Sequence, residues 1–299
     1  MYLEAFQRYF LDYARNIGSQ LFQPGWDNYF FWFMGFNLLF FGLEVLFPWR
    51  KEQRILRKDF WLDAFYMLFN LFLFSLIGYY AVSQVLVDLF NDGLALLGVS
   101  NMAAISIAAW PVWAQLLFMF VLRDFIQWNI HRLLHRVPWL WEFHKVHHSA
   151  QEMGFAAHLR YHWMENVVYN TLQYIPLALI GYSIGDFFVV YLFTLAWGHF
   201  NHANLRVPLG PLKYIFNNPQ MHIWHHAKTL PNRYGVNFGL TLSVWDYLFG
   251  TAHVPESGRD IPLGFEHVEE FPQGFAGQGI YPWVKPQAQG SPPTDQTNK

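Results

Sequence analysis

The 299-residue sequence contains no cysteine and few charged residues. The absence of cysteine excludes disulfide bonds, thiolate catalysis, thioether-linked haem and cysteine-ligated iron–sulfur clusters, and it leaves the redox compartment open. Only 13% of the residues are charged, about half the usual share, whereas 54% are hydrophobic and 20% are aromatic. The formal net charge of -2 gives no reason to expect a nucleic-acid partner. A surface that faces lipid is the better explanation of this composition.

Apolar stretches predict an all-α, multi-pass membrane protein with about four spans, because a helix needs roughly 20 apolar residues to cross a bilayer. The predicted spans cover about 29–48, 60–82, 110–125 and 167–197. The fourth is interrupted at 181–186 by GYSIGD, which favours a hairpin of two half-length helices over one long tilted helix. The interval 85–109 is weakly apolar, as expected for a re-entrant or interfacial segment.

Basic residues predict the orientation of these spans. The loop between the first two carries five of them, namely Arg50, Lys51, Arg54, Arg57 and Lys58, whereas residues 83–109 carry none. Because cytoplasmic loops are enriched in Lys and Arg, this short loop is predicted to be cytoplasmic. Counting spans from there, every histidine from His131 to His267 falls on or near the cytoplasmic face.

Four parts are predicted along the chain. Residues 1–27 form an amphipathic segment without the pattern of a signal peptide, which either lies on the membrane surface or packs on the rest of the protein. Residues 28–204 form the membrane domain with the first histidine motifs. Residues 205–285 form a helical cytoplasmic cap with the last motif, and 286–299 form a disordered tail.

Histidines are clustered in short motifs. HRLLH supplies His131 and His135, HKVHH supplies His144, His147 and His148, HIWHH supplies His222, His225 and His226, and between them lie His158, His162, His199 and His202. Residues at i, i+3 and i+4 share one face of a helix, where imidazoles can bind a metal together. At this histidine content one HxxHH motif is expected about 0.03 times by chance, and two are present. The motifs therefore predict metal binding.

The number of clustered histidines predicts two metal ions. A structural zinc site closes with four ligands and a catalytic zinc uses three, so eight or more imidazoles exceed one site. Two metals of like chemistry would each need a matching three-histidine face. No HExxH motif occurs, which excludes a zinc protease of that type, but imidazole ligands leave iron, copper and zinc open. Asp124, seven residues before His131, and Asp246 are predicted to orient ligand histidines; Asp246 alternatively docks the cap onto the membrane domain.

The order HRLLH, HKVHH, NHAN, HIWHH resembles the fatty acid hydroxylase superfamily of integral-membrane di-iron oxygenases, which includes the sterol desaturases. The flanking stretches DFIQWNIHRLLH, LGPLKYIFNNPQMHIWHH and YGVNFGLTLSVWDYLFGT are similar to bacterial members of the sterol desaturase type, over about residues 110–251. The resemblance implies iron ligands at His131, His135, His144, His147, His148, His202, His222, His225 and His226, with His162 and His199 as additional members. The role of His158 stays open between ligand and supporting residue.

The resemblance also implies the activity. Two iron ions, O2 and an external electron donor such as ferredoxin or cytochrome b5 would oxidise an unactivated C–H bond of a membrane lipid, by hydroxylation or desaturation, at the bacterial inner membrane. The flanks favour a sterol-type substrate, with fatty acyl, alkylglycerol and carotenoid hydroxylation as rivals. Trp128, Trp163 and Trp197 are candidates for the wall of a lipid channel, or else packing residues. Two other classes remain open: a histidine-rich membrane metal-binding or transport protein, and a binuclear-zinc hydrolase.

Overall fold

The long apolar and aromatic runs of the sequence fold into helices. The structure is a computed structural model, and it describes residues 1–99, 107, 109–178, 187–255 and 257–284. Within these ranges there is no β-strand, and only two isolated antiparallel bridges occur, Phe216 with Leu242 and Ala227 with Leu263. The predicted all-α fold is therefore confirmed.

The α-helices fall into a long set near the start of the chain and a short set near its end. They are α1 Tyr2–Phe22, α2 Tyr29–Leu46, α3 Phe60–Leu68, α4 Tyr80–Leu96, α5 Val112–Arg136, α6 Pro138–His148, α7 Trp163–Ala178, α8 Phe187–His202, α9 Pro219–His225, α10 Val244–Leu248 and α11 Phe275–Ile280. Wider π-helical turns join α3 to α4, and 3-10 turns cover Phe155–Leu159, Gly210–Tyr214 and Val268–Glu270.

Two of the described helices are long and apolar enough, by length and composition, to cross a membrane. They are Tyr29–Leu46 and the continuous run Phe60–Leu96 of 37 residues. The second is longer than predicted because residues 85–96 continue the helix, past a turn at Gly78 whose φ of 116° a glycine adopts without strain. The third and fourth spans stay predictions, and residues 179–186 of the predicted hairpin lie outside the described part.

The N-terminal helix packs on α4. The hydroxyl of Tyr2 donates to Asp92 Oδ2 at 2.9 Å, and that of Tyr9 donates to Asp88 Oδ2 at 2.8 Å. These bonds engage the two acidic residues of an otherwise apolar segment. Helix α1 therefore contacts the rest of the protein directly, in line with the second of its two predicted placements.

A buried apolar cluster fixes α8 against α2, α3 and the 3-10 turn Phe155–Leu159. Phe40 of α2, Met67 of α3 and Leu195 of α8 are each less than a tenth exposed in this cluster. Burying side chains of this size stabilises a fold by roughly 1.5–3 kcal/mol each. The packing holds the C-terminal end of α8, with its histidines, beside the turn that follows α6.

Candidate metal centre

The helices that carry the histidine motifs have well-defined starts. Pro138 occupies the first turn of α6, where its fixed φ suits a helix and its missing N–H leaves no bond unmade. Asn218 caps α9, because its side-chain oxygen accepts a hydrogen bond of 2.9 Å from the backbone N–H of Met221, and Pro219 follows it. These local signals place each motif on a regular helical turn, so the motif spacing becomes a spatial arrangement.

Five histidines form the first group. They are His131, His135, His144, His148 and His225, and one nitrogen atom from each lies within 4.8 Å of all the others. All five side chains are buried. Five imidazole nitrogens at this separation form a ready-made ligand shell for one metal ion.

Four histidines form the second group beside the first. They are His147, His202, His222 and His226, with the same 4.8 Å limit between nitrogen atoms and the same burial. The rings of His148 and His226, one from each group, stack with centroids 4.5 Å apart. Two adjacent candidate metal sites are therefore formed by nine histidines, and neither group includes a carboxylate.

Each HxxHH motif serves both groups. HKVHH gives His144 and His148 to the first group and His147 to the second, whereas HIWHH gives His225 to the first group and the remaining pair to the second. The reason is helical geometry. At 3.6 residues per turn, the side chains at i and i+4 point in nearly the same direction, whereas the side chain at i+3 is rotated about the helix axis by one residue's turn from that at i+4. The structure thus departs from the expectation of one three-histidine face for each metal.

Contacts between imidazole nitrogens have the spacing of neighbouring ligands on one ion. In the second group His202 Nε2 lies 3.3 Å from His147 Nε2 and 3.0 Å from His222 Nε2. In the first group His131 Nε2 lies 3.1 Å from His144 Nε2. Two nitrogens each about 2.1 Å from a shared ion are separated by roughly this distance. We therefore interpret these contacts as ligand atoms that converge on an ion.

Several buried histidine nitrogens have no hydrogen-bond partner within the protein. They are Nε2 of His135, His148 and His225 in the first group and Nδ1 of His222 and His226 in the second. An unpaired buried nitrogen normally costs about 1–3 kcal/mol, so such atoms are rare without a reason. Metal coordination supplies that reason for the Nε2 atoms. The residues present therefore fit a pair of metal ions.

Backbone carbonyls set the tautomer of four of the histidines. The Nδ1–H groups of His131, His225, His147 and His202 donate to the carbonyl oxygens of Phe238 at 2.8 Å, Val236 at 2.8 Å, Arg160 at 3.1 Å and Gly198 at 2.8 Å, respectively. With the proton held on Nδ1, the lone pair is on Nε2, which faces the group. Such outer partners fix ring orientation and raise ligand basicity.

A carboxylate supports a fifth histidine. Glu165, 2% exposed at the start of α7, accepts the Nδ1–H of His144 at 2.8 Å. Burial raises the pKa of Glu165 to about 8, whereas a metal cation on His144 acts in the opposite direction and favours the carboxylate. Glu165 is not among the residues predicted from the sequence. Its signal was an acidic residue at the edge of an apolar run, three residues after His162.

Burial also keeps the histidines of both groups neutral. Desolvation lowers the pKa of His147 to about 3, and it holds the pKa of His144, His148 and His226 well below the usual value. A neutral imidazole offers a lone pair to a metal, whereas an imidazolium does not. The environment therefore keeps the imidazoles ready to bind metal at neutral pH.

Asp246 acts on the first group through the backbone. Its carboxylate accepts the N–H groups of Phe238 at 2.9 Å and Gly239 at 2.8 Å, the indole N–H of Trp128 at 3.0 Å and the hydroxyl of Thr251 at 2.6 Å. The carbonyl of Phe238 is the acceptor for a ligand histidine. Asp246 thus joins residues 205–255 to α5 and fixes the loop that orients a ligand, rather than bonding a histidine itself.

Asp124 holds the neighbouring part of the same loop. Its carboxylate accepts the backbone N–H groups of Thr241 at 3.1 Å and Leu242 at 3.3 Å and the indole N–H of Trp245 at 2.9 Å. Its bonds therefore run to the loop that precedes α10. The predicted contact with a ligand histidine is replaced by this anchoring.

A buried ion network supports the second group. Arg160, whose carbonyl orients His147, pairs through Nη1 with Asp59 at 2.8 Å and with Asp63 at 3.3 Å. Asp63 also pairs with Arg57, which is 3% exposed. One of the five basic residues counted for membrane orientation thus has a structural partner inside the protein.

The remaining predicted ligands lie outside both groups. His162 receives a hydrogen bond from Met164 N on Nδ1 and donates from Nε2 to Gly279 O, both at 3.0 Å, so neither nitrogen is directed to the groups. His199 faces His158, with their Nδ1 atoms 3.3 Å apart, and its Nε2 is buried without a partner. On α8, His199 lies three residues before His202, so the two side chains leave the helix about 60° apart, and the ring of His199 faces His158.

A cavity of about 170 Å³ leads to both groups from between α5, α7 and α8. Five of the nine grouped histidines line it: His131, His144, His147, His202 and His222. The tryptophans suggested as channel wall are elsewhere, since Trp128 bonds Asp246 and the indoles of Trp163 and Trp197 donate to backbone carbonyls. Most of the residues that line the cavity instead carry a polar side-chain atom.

Comparisons with known proteins match the part of the chain that holds this centre. The sequence model of the fatty acid hydroxylase family matches residues 116–251. An ornithine lipid hydroxylase of Rhizobium tropici is 32% identical over 59% of this chain and 52% of its own length. Human alkylglycerol monooxygenase is 33% identical over 43% of this chain and 28% of its own, and rat methylsterol monooxygenase 1 is 28% identical over 44% of each. No solved structure matches the chain.

The fold and the site define a helical protein with two adjacent all-histidine groups, each of which could hold a metal ion. Residues 116–251 match the fatty acid hydroxylase family, and the resemblance seen in the motifs is confirmed over this segment. The chain spans about half the length of the ornithine lipid hydroxylase and less of the other two.

Proposed function

We propose that the protein is an O2-dependent, membrane-associated di-iron oxygenase that hydroxylates a C–H bond of a lipid. The observation that carries this proposal is the placement of two adjacent all-histidine groups at one end of a cavity. Imidazole ligands without thiolate or carboxylate suit a redox-active iron pair, and the family match favours iron over zinc or copper.

The side chains have separable tasks in this proposal. The nine grouped histidines would hold the two ions, and iron bound there would supply O2 binding and pass the donor's electrons to O2, which oxidises the C–H bond. Glu165 and the carbonyl of Phe238 keep His144 and His131 in the orientation that binding requires. Burial of the groups excludes bulk water, which protects a reactive centre from side reactions.

The names of the relatives favour hydroxylation over desaturation and a lipid as the substrate. Those relatives act as an ornithine lipid hydroxylase, an alkylglycerol monooxygenase and a methylsterol monooxygenase. For this chain we propose the shared reaction: O2, two electrons and two protons convert C–H to C–OH and release one water. The electrons come from a separate reductase or electron carrier, and the basic 50–58 loop favours a cytoplasmic centre.

A metal-storage or transport function is the competing proposal. A transport relay would spread its ligands along the membrane helices, whereas these nine lie in two compact groups. A binuclear-zinc hydrolase would use carboxylate or water-bridging ligands, and both groups consist of histidine alone.

Metal analysis with activity on the purified protein tests the proposal. We expect two irons per chain, and O2 uptake coupled to lipid hydroxylation when an external reductant is supplied. Heavy-oxygen labelling should place one atom of O2 in the product. Folded protein that retains zinc alone, or iron-loaded protein that never consumes O2 with any lipid, would contradict it.

A further inference from the structure

We infer that Arg123 recognises an acidic group, a carboxylate or a phosphate, on the lipid that enters the cavity. This inference rests on the proposed function and names the class of substrate: an acidic lipid in place of the sterol that the flanking motifs favour. Arg123 lies on α5 and lines the cavity together with Gln127 and His131. These residues are spaced four apart, so they lie on one face of the helix.

The guanidinium of Arg123 is held by uncharged partners. Its Nη1 donates to the hydroxyl of Thr194 at 2.8 Å, and its carbon lies 5.3 Å from the ring centre of Tyr191. Among the residues that the structure describes, no carboxylate oxygen lies within 4 Å of it. Its neighbour Asp124 is already engaged by Trp245 and the backbone of the loop before α10.

The two arginines that are almost fully buried in the described part of the protein are paired with acids, whereas Arg123 is half-buried at the cavity wall. Arg57 pairs with Asp63, and Arg160 pairs with Asp59 and Asp63. An unpaired positive charge next to apolar helices is costly, and an ionisable residue in such a place usually belongs to a ligand or ion pathway. The missing counter-charge at Arg123 therefore points to an acid that arrives with the substrate.

The rest of the cavity wall suits a polar headgroup. Apart from Leu159, Leu195, Gly239 and Leu240, every lining side chain carries a polar atom. The Oε1 atom of Gln127, one turn from Arg123, is buried without a hydrogen-bond partner and offers an acceptor to a hydroxyl or amine of the ligand. A sterol, with one hydroxyl on a rigid apolar ring system, carries no acidic group to pair with Arg123.

Distance supports a headgroup close to the centre. Arg123 and His131 are eight residues apart on one helix, which is roughly 12 Å at 1.5 Å per residue. An acidic group bound by Arg123 therefore lies within one headgroup length of the metal ligands, and its hydrogen bonds would position the adjoining part of the lipid.

Equilibrium binding to the iron-loaded protein, in detergent and without O2, tests the inference without turnover. The probes are radiolabelled hexadecanoic acid, hexadecyl phosphate and hexadecanol, which share a chain and differ in the head. We expect the wild-type protein to bind one or both acids at least tenfold more tightly than the alcohol. Comparison of hexadecanoic acid with hexadecyl phosphate shows whether the site prefers a carboxylate or a phosphate.

Variants assign the preference to one side chain. Arg123→Gln should lose about tenfold or more in affinity for the acids and little for the alcohol, whereas Arg123→Lys should keep part of the preference. The matched control is Arg136→Gln, which removes an exposed charge from the end of the same helix. This control should bind all three probes as the wild type does.

Three results would overturn the inference. The first is equal binding of acids and alcohol by the wild type, and the second is an unchanged preference in Arg123→Gln. The third is a loss of affinity for all three probes equally in Arg123→Gln, without recovery of the acid preference in Arg123→Lys. These outcomes are independent of turnover, so a protein that hydroxylates lipids without headgroup preference would refute this inference and leave the proposed function intact.

Discussion

The two histidine groups differ in number of ligands and in what supports them. The first has five histidines, and one of them, His144, donates a hydrogen bond to a buried carboxylate. The second has four, of which His147 and His202 donate hydrogen bonds to backbone carbonyls. Three of the four histidines of the second group line the cavity, but only two of the five of the first. The comparison places a larger share of the second group than of the first at the cavity wall.

Removing one ligand from each group is the largest test of this comparison. His225→Ala takes a ligand from the first group and His222→Ala takes one from the second, although both come from the HIWHH motif. Each should lower iron content from two per chain toward one. Product formation should fall by more than the roughly 100-fold that loss of an outer partner causes.

Mössbauer spectra of the two variants loaded with iron-57 give the measurement. Each variant should lose a different iron component. His253→Ala is the control, because His253 belongs to neither group and contacts the ring of Trp224 instead. Loss of the same component in both variants would show that the motif serves one ion, contrary to the shared arrangement.

Replacing Glu165 tests the support of the first group alone. Glu165→Gln keeps the shape of the side chain but removes the charge that faces His144, so metal affinity at the first group should fall about 10–100-fold while the second is unchanged. Competition with a calibrated iron chelator measures both affinities. Glu52→Gln, on an exposed loop residue paired with Arg259, is the control. Equal weakening at both groups would contradict the selective role.

The sequence predicts which histidines come together better than it predicts how they are divided between the two groups. All nine grouped histidines were among the predicted ligands, because i, i+3, i+4 spacing is a local property of one helix. Which metal each one faces depends on how α5, α6, α8 and α9 pack against each other, and no motif records that. The extra predicted ligands His162 and His199 have suitable residue type and position in the chain, but their rings point elsewhere.

Supporting residues were harder to predict because their action is indirect. For Asp246 two roles were predicted, docking of the cap or a bond to a ligand histidine; it bonds the peptide N–H of Phe238, whose carbonyl orients His131. A carboxylate that orients a ligand histidine through a backbone carbonyl has no characteristic sequence spacing from that histidine. Helix existence, by contrast, follows from apolar runs: α2 begins at the residue where the first span was predicted to begin, Tyr29.

A glycine tests the surroundings of the second group. A Cβ on Gly198 would lie 2.1 Å from the ring of His158, which in turn contacts the ring of His202 at 5.3 Å between centroids. Gly198→Ala should lower the free energy of unfolding by about 1–3 kcal/mol and weaken metal binding at the second group. Gly42→Ala, on α2 with nothing within 4 Å, is the control and should be neutral or slightly stabilising. Thermal melts that do not differ between the two variants would contradict the close contact.

The order of metal release is the smallest expected difference between the groups. With one ligand fewer and more of its histidines at the cavity wall, the second group should release iron to a ferrous chelator at least a few-fold faster than the first. Stopped-flow absorbance should record two phases of about one iron each. His222→Ala should remove the fast phase, and Glu165→Gln should accelerate only the slow one. If Glu165→Gln accelerated the fast phase instead, the group supported by the carboxylate would be the one that releases its metal first, and the comparison would have to be reversed.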